Sequence, residues 1–181
     1  MTAHVELALV DELGLDRGQA EDIRRLLAAC FPDWDYPRHR RYFKQIPARR
    51  LLAREDGRLL GQLGLEHRAI GTATGPATIL GTIDLCVAPD ARGRGVASRL
   101  LDRVEQLGSA GGVEFLVLFA TDRRLYERHG YRHADNPLRW LRIDEHASLG
   151  IGEEAVDELM VKPLTARPWP EGPVDLLGYL F

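Results

Sequence analysis

The chain has 181 residues and a mass of 20.3 kDa, with 45% hydrophobic and 28% charged residues, which suits one globular core. Its formal net charge of -3 leaves no global basic excess, so bulk electrostatics do not point to a nucleic acid or an anionic membrane as partner. No apolar run is long enough to cross a bilayer, residues 1–6 lack the charged and apolar regions of a secretory leader, and Cys30 and Cys86 have no disulfide-framework spacing. A cytoplasmic protein with two buried free thiols is the expectation.

Residues 5–10 alternate loosely and end at Asp11-Glu12-Leu13-Gly14, which predicts a first strand and a turn. Ile23, Leu26, Leu27 and Cys30 follow the i, i+3, i+4, i+7 spacing of a helix face, and Pro32 ends that helix. Arg38, Arg40, Arg41, Lys44, Arg49, Arg50 and Arg54 then form an acid-free basic run with Tyr36, Tyr42 and Phe43 nearby. A second short helix with a solvated basic side is the preferred reading. The alternative is a phosphate or nucleic-acid face, which predicts affinity that falls steeply with salt.

Residues 51–54 and 59–65 flank Glu55-Asp56-Gly57-Arg58, and Asp-Gly between apolar runs predicts a hairpin. A turn at residues 71–76 leads into residues 77–87, nearly all apolar and so a central strand, with Asp84 as the exception. Val96, Leu100, Leu101, Val104 and Leu107 mark one face of a helix that Gly108 is placed to cap. Residues 115–119 read as a buried strand, and Asp122 as the cap of a short helix that runs through His129 and stops at Gly130. Strands at 137–142 and 159–161, a loop at 147–152 and an irregular stretch at 168–173 complete the chain; the apolar residues 174–181 predict a tail that packs back. Without repeats or a long linker, residues 1–181 read as a single domain.

The chemistry concentrates in Arg92-Gly93-Arg94-Gly95-Val96-Ala97, between the central strand and the most regular helix. A glycine-rich turn at a helix amino end presents backbone N–H donors and the positive dipole end, which is what a pyrophosphate needs. Gly93 and Gly95 clear the approach, Ala97 keeps the first helical turn small, and Arg92 and Arg94 add charge. The turn lacks the Lys-Ser/Thr ending of a P-loop, and its spacing is not that of a dinucleotide-binding fold. The plainer reading is a tight turn before a helix.

Residues 85–107 resemble the acyl-CoA signature of the GNAT superfamily, Arg/Gln-x-x-Gly-x-Gly/Ala, with Arg92, Gly95 and Ala97 at its defining positions. Leu125-Tyr126-Glu127-Arg128-His129-Gly130-Tyr131 is similar to the family segment ending in Tyr-x-x-x-Gly-Phe/Tyr. The resemblance implies an α/β (α+β) fold: a mixed central sheet with a bulged central strand and helices on both faces. It implies acetyl-CoA as co-substrate, no metal, and an N-acyltransferase acting by direct attack of an amine. Leu85, Cys86 and Val87 would offer main-chain groups to the pantetheine arm, and Arg92, Gly93, Arg94, Gly95, Val96, Ala97 and Ser98 would hold the phosphates. Tyr126 would be the general acid, since a phenol with a pKa of about 10 protonates a thiolate at little cost; a packed helical aromatic is the alternative. Asp84 would be the general base, its isolation in an apolar strand being costly unless used; an Asp paired with an Arg or capping a loop is the alternative.

Within the family, residues 84–131 look most like aminoglycoside 2'-N-acetyltransferases and the rhizobial nodulation N-acyltransferase, which implies a small-molecule amine acceptor such as an amino sugar. Nucleic acid and membrane are not expected as partners, and a homodimer is an open arrangement. Eight acids from Asp144 onward, against Lys162 and Arg167, would draw a cationic acceptor or form an ordinary solvated surface. A non-catalytic acyl-CoA sensor that keeps the turn is the rival reading.

Overall fold

The computed structural model describes residues 4–181; the lack of a leader was read partly from residues 1–3, which lie outside the described residues. The described chain divides into two compact units: residues 4–66 with 83–104, and residues 67–82 with 105–181. Strands β3 (Arg58–Thr72) and β4 (Gly75–Val87) and helix α3 (Val96–Ala110) contribute a part to each.

In the first unit, β1 (Glu6–Asp11) pairs antiparallel with β2 (Arg49–Glu55), and β2 pairs antiparallel with β3. The Asp-Gly turn forms as its residues dictate, with φ of 49° at Asp56 and 80° at Gly57, the left-handed pair that suits a two-residue hairpin. Helix α1 (Arg17–Cys30) opens with a capping box between Asp16 and Gln19, worth about 1 kcal/mol, and buries Ile23, Leu26 and Leu27 as its spacing predicts. Gly61 of β3 admits Val96 and Leu100 of α3, which lie 3.0 and 3.2 Å from where a side chain would begin.

The basic run forms only the beginning of the expected second short helix. Only Tyr36–His39 is helical (α2), and residues 49–55 are strand β2. Nor is its charge merely solvated: Arg41 and Arg50 bind Glu12, Arg49 binds Asp11, and Arg54 binds Asp22. β-Sheet pairing overrode the run because Leu51, Leu52 and Ala53 between the arginines are fully buried.

In the second unit the strand order is β6-β9-β5-β4-β3-β10-β7-β8. β5 (Phe115–Phe119) lies parallel to β4, and β9 (Leu159–Pro163) runs antiparallel to both β5 and β6 (Arg132–His133). On the other side, β10 (Val174–Tyr179) pairs antiparallel with β3 and parallel with β7 (Pro137–Asp144). The core gathers Ile70, Ile79, Phe115, Val117, Leu138, Leu159, Val161 and Val174, with Trp169 and Phe181 against it, so the tail does pack back. Asn136 fastens the irregular stretch, accepting from the Trp169 indole and donating to the Pro170 and Gly172 carbonyls.

Two expectations fail here and a third holds in part. Residues 147–152 belong to strand β8 (Ala147–Ala155), not a loop. Its hairpin turns on Glu145 and His146, at φ 41° and 68°, and no glycine or asparagine announces it. Gly108 lies inside α3, where Leu164 and Leu116 crowd it; it is small for packing, not for capping. The short helix is α4 (Arg124–Arg128), shorter than expected; Asp122 sits one residue before its N-cap position, yet its Oδ1 accepts from the Arg124 amide at 3.2 Å and so serves that helix end. No described helix is long and apolar enough to cross a membrane.

Candidate functional site

Inside β4, Asp84 takes a left-handed backbone at φ 49°. A residue other than glycine pays for that conformation, and in a strand interior it marks a bulge. Two side chains hold it there. The Gln62 amide donates to the Asp84 carbonyl at 2.6 Å, and the Tyr36 hydroxyl donates to Asp84 Oδ2 at 3.1 Å.

Gln62 is itself held by a chain of buried groups. Its Oε1 accepts from Arg50 Nη1 at 2.8 Å, which fixes which end of the amide faces Asp84. Arg50, 1% exposed, also donates to Glu12 at 2.6 Å and to the Arg41 carbonyl at 2.6 Å. Every direction of its guanidinium is thus answered, as burial of a charge requires.

Burial raises the Asp84 pKa above the ordinary carboxylate value, against the opposing pull of the Tyr36 hydroxyl and of the Arg50 and Lys44 charges. Desolvation pushes the Tyr36 hydroxyl far up, with the Asp84 charge adding to it, so Tyr36 is a fixed proton donor. Burial lowers Lys44, with Asp84 opposing. Trp34, Tyr36 and Phe43 form an aromatic corner here, with ring centroids 4.9 to 6.2 Å apart.

Beyond the bulge, Leu85 and Val87 are half-buried and Cys86 is buried. The Val87 carbonyl accepts from Cys30 Sγ at 3.3 Å and lies 3.4 Å from Arg92 Nε, so Arg92 folds back toward its own strand. Both cysteines are free thiols, as their spacing predicts, though Cys30 is only half-buried. Cys30 is the more acidic of the two, held down to about 7 chiefly by the Cys86 thiol, with the Arg92 guanidinium helping. Cys86 is pushed up by Cys30 and by its burial.

The turn that follows leaves Arg92, Gly93, Arg94 and Gly95 exposed. Gly93 and Gly95 have φ of 75° and 76°, and nothing stands within 4 Å of where their side chains would be. These glycines are therefore demanded by backbone conformation and not by packing. The Gly95 carbonyl starts α3 by accepting from the Arg99 amide at 3.1 Å, and Val96, Ala97 and Ser98 form the first turn. Arg94 forms an ion pair with Glu55.

Tyr126 belongs to the second unit, on α4, edge-on to Tyr131 with centroids 6.0 Å apart. Its pKa is pushed up to about 12 by burial, with the Asp122 charge contributing. It therefore keeps its proton more firmly than the unperturbed phenol assumed from the sequence. Of the acids after Asp144, Glu153 and Asp175 bind Arg139 and Asp157 binds Arg123.

Asp84, Cys86, Val87 and Arg92 are thus linked within the first unit through Cys30, Gln62 and Tyr36. Sequence reasoning missed Gln62, Arg50, Tyr36 and Glu12. Gln62 carried the same signal as Asp84, a polar residue in an apolar strand, whereas Arg50 was hidden by its basic neighbours. Among the described residues no group of three or more His, Cys, Asp or Glu is placed to hold a metal ion.

A family profile described as an acetyltransferase (GNAT) domain matches residues 14–134. No curated protein sequence matches. Among solved structures, the chain is similar to the GNAT family N-acetyltransferase YhbS from Escherichia coli in complex with CoA, at 18% identity and a TM-score of 0.64, covering 97% of this chain and 91% of that one. It is also similar to a GNAT family acetyltransferase from Brucella melitensis in complex with acetyl-CoA, at 17% identity and a TM-score of 0.60, covering 94% and 96%. A GCN5-related N-acetyltransferase from Kribbella flavida aligns at 21% identity and a TM-score of 0.56 over 72% of this chain, which spans only 34% of that longer protein. These likenesses establish the mixed α/β fold.

Proposed function

We propose that this chain, which belongs to the GNAT acetyltransferase family, is an acyl-CoA-dependent N-acyltransferase that moves an acetyl group from acetyl-CoA to a primary amine of a small molecule, an amino sugar in particular, with residues 1–181 acting as one cytoplasmic domain. The observation that carries this reading is Asp84: a carboxyl at a left-handed bend inside a strand, gripped by Tyr36 and Gln62, with its pKa raised toward that of a working base. Backbone strain of this kind costs stability and clusters at functional sites.

The turn of Gly93 and Gly95 would take the diphosphate on its amides, with Val96, Ala97 and Ser98 at the helix end and Arg92 and Arg94 supplying charge. For Arg94 this means exchanging Glu55 for a phosphate. Leu85, Cys86 and Val87 would pair with the pantetheine arm. Asp84 would take the proton of the acceptor ammonium, and Tyr126 would give one to the departing thiolate. Trp34, Tyr36 and Phe43 support a sugar amine as acceptor, since aromatic faces pack against its C–H face and attract its cation.

The test is consumption of acetyl-CoA across amino sugars, polyamines and peptide amines. Turnover of an amino sugar, lost in Asp84→Asn, is the expected result. Tight coenzyme binding with no amine acetylated would replace this reading by the acyl-CoA sensor.

A further inference from the structure

Part of the basic run lines a cavity of about 340 Å³ in the first unit. One wall is a polar face of α1, where Arg17, Arg24 and Arg25 come together at helical spacing. The other wall is His39, Arg40 and Arg41, at the end of α2 and just beyond it. Among the described residues that line the cavity, Glu21 is the one acid.

Glu21 is already engaged within its own helix. Its oxygens accept from Arg24 Nε and Nη2 and from Arg25 Nε, each at 2.8 Å, and Arg24, with Arg25 after it, holds its pKa down to about 2. Arg24 also donates to the Pro37 and Arg38 carbonyls at 3.1 Å each, which ties α1 to α2 and sets the two walls against each other. Arg41 is held by Glu12. Arg17, exposed at the first position of α1, has no ion-pair partner among the described residues. Other arginines of this unit are balanced one by one: Arg49, Arg54, Arg58 and Arg94 each have a carboxylate, from Asp11, Asp22, Asp90 and Glu55. Around the cavity guanidiniums are instead gathered in excess of acid, and their mutual repulsion is offset by any anion that enters.

We infer that this cavity is a binding site for a small phosphate-bearing anion, a phosphate ester or a diphosphate. Guanidinium N–H groups meet phosphate oxygens two at a time, and arginines on facing walls grip such an ion from both sides. A volume of about 340 Å³ lies at the lower end of the range for ligand pockets, which suits a small ion and not a nucleic-acid chain. The lining shares no residue with the turn at Gly93 and Gly95, and the inference does not rest on the reading of Asp84 given above.

The experiment is equilibrium dialysis of the full chain against radiolabelled inorganic pyrophosphate, at constant ionic strength and with saturating coenzyme A to occupy the turn. One equivalent of pyrophosphate is expected to bind. Arg17→Glu should weaken it by roughly tenfold or more, the worth of a charge-assisted contact, and the variant should fold because an acid in the first turn favours a helix. Arg58→Glu reverses a charge outside the cavity and should leave binding nearly unchanged. No bound pyrophosphate, equal weakening by Arg17→Glu and Arg58→Glu, or an oligonucleotide that binds where pyrophosphate does not, overturns the inference. The contrast between the two variants reads this cavity whether or not coenzyme fills the turn, so failure of the coenzyme reading shows separately, as a chain that retains no coenzyme A.

Discussion

Asp84 and Tyr126, the base and the acid of the proposed reaction, are both pushed up in pKa by burial, yet the push helps one and hinders the other. A carboxylate whose pKa rises binds a proton more strongly and becomes a better base, while a phenol at about 12 gives its proton up less readily than one near 10. Their surroundings differ as well. Asp84 is gripped by Tyr36 and Gln62, and Gln62 in turn by Arg50 and Glu12. Tyr126 rides on a helix of five residues with the edge of Tyr131 beside it. The base is built into the first unit and the acid is only placed in the second, so the rate should depend far more on Asp84.

Asp84→Asn puts that difference to its severest test. Turnover with the best amine should fall by roughly 10²- to 10⁴-fold, the usual range for losing a general base. In the wild type, kcat/KM should drop as pH falls, with an inflection above the ordinary aspartate value of about 4, because the protonated carboxyl accepts nothing. Tyr126→Phe should cost less, about tenfold in kcat, with the coenzyme Kd unchanged by calorimetry. Equal turnover in Tyr126→Phe removes its role; a larger loss there than in Asp84→Asn reverses the comparison.

How far the sequence revealed these two regions follows from the range over which each signal acts. The turn at Gly93 and Gly95, the α3 face and the Asp56-Gly57 hairpin were legible because turn chemistry and periodicity are local. Asp84 was legible by contrast with its neighbours. Its partners were not: Tyr36 lies 48 residues away and Arg50 acts through Gln62, and only folding brings such positions together. The basic run misled because composition counted seven cations without their acids, Glu12, Asp11 and Asp22, on other elements. Strand β8 was missed because its residues are almost all exposed, so no alternation marks it.

Gln62→Leu sharpens the comparison from the side of the supporting network. It removes the amide that holds the Asp84 carbonyl and leaves Arg50 Nη1 without its acceptor in a buried place. The expected cost is about 1 to 3 kcal/mol in urea unfolding, with a few-fold loss of turnover as the bend loosens. A variant as stable as wild type and fully active would mean that the chain from Glu12 to Asp84 positions nothing.

The smallest effect separates function from stability at Asp84 itself. Its pKa is higher in the folded chain than in the unfolded one, so the folded state holds the proton more tightly. Wild-type stability from this group is therefore greatest below the unfolded value and declines as pH rises through the window up to the raised one, above which the charged form stays buried at full cost. Asparagine carries no charge, still accepts from the Tyr36 hydroxyl, and tolerates a left-handed φ at least as well as aspartate. Urea unfolding across pH should thus show Asp84→Asn gaining on wild type as pH rises through that window, with no pH-linked gain beneath it. A difference between the two that stays constant with pH would mean that Asp84 ionises as easily in the fold as in water, and its claim to be a tuned base would go with it.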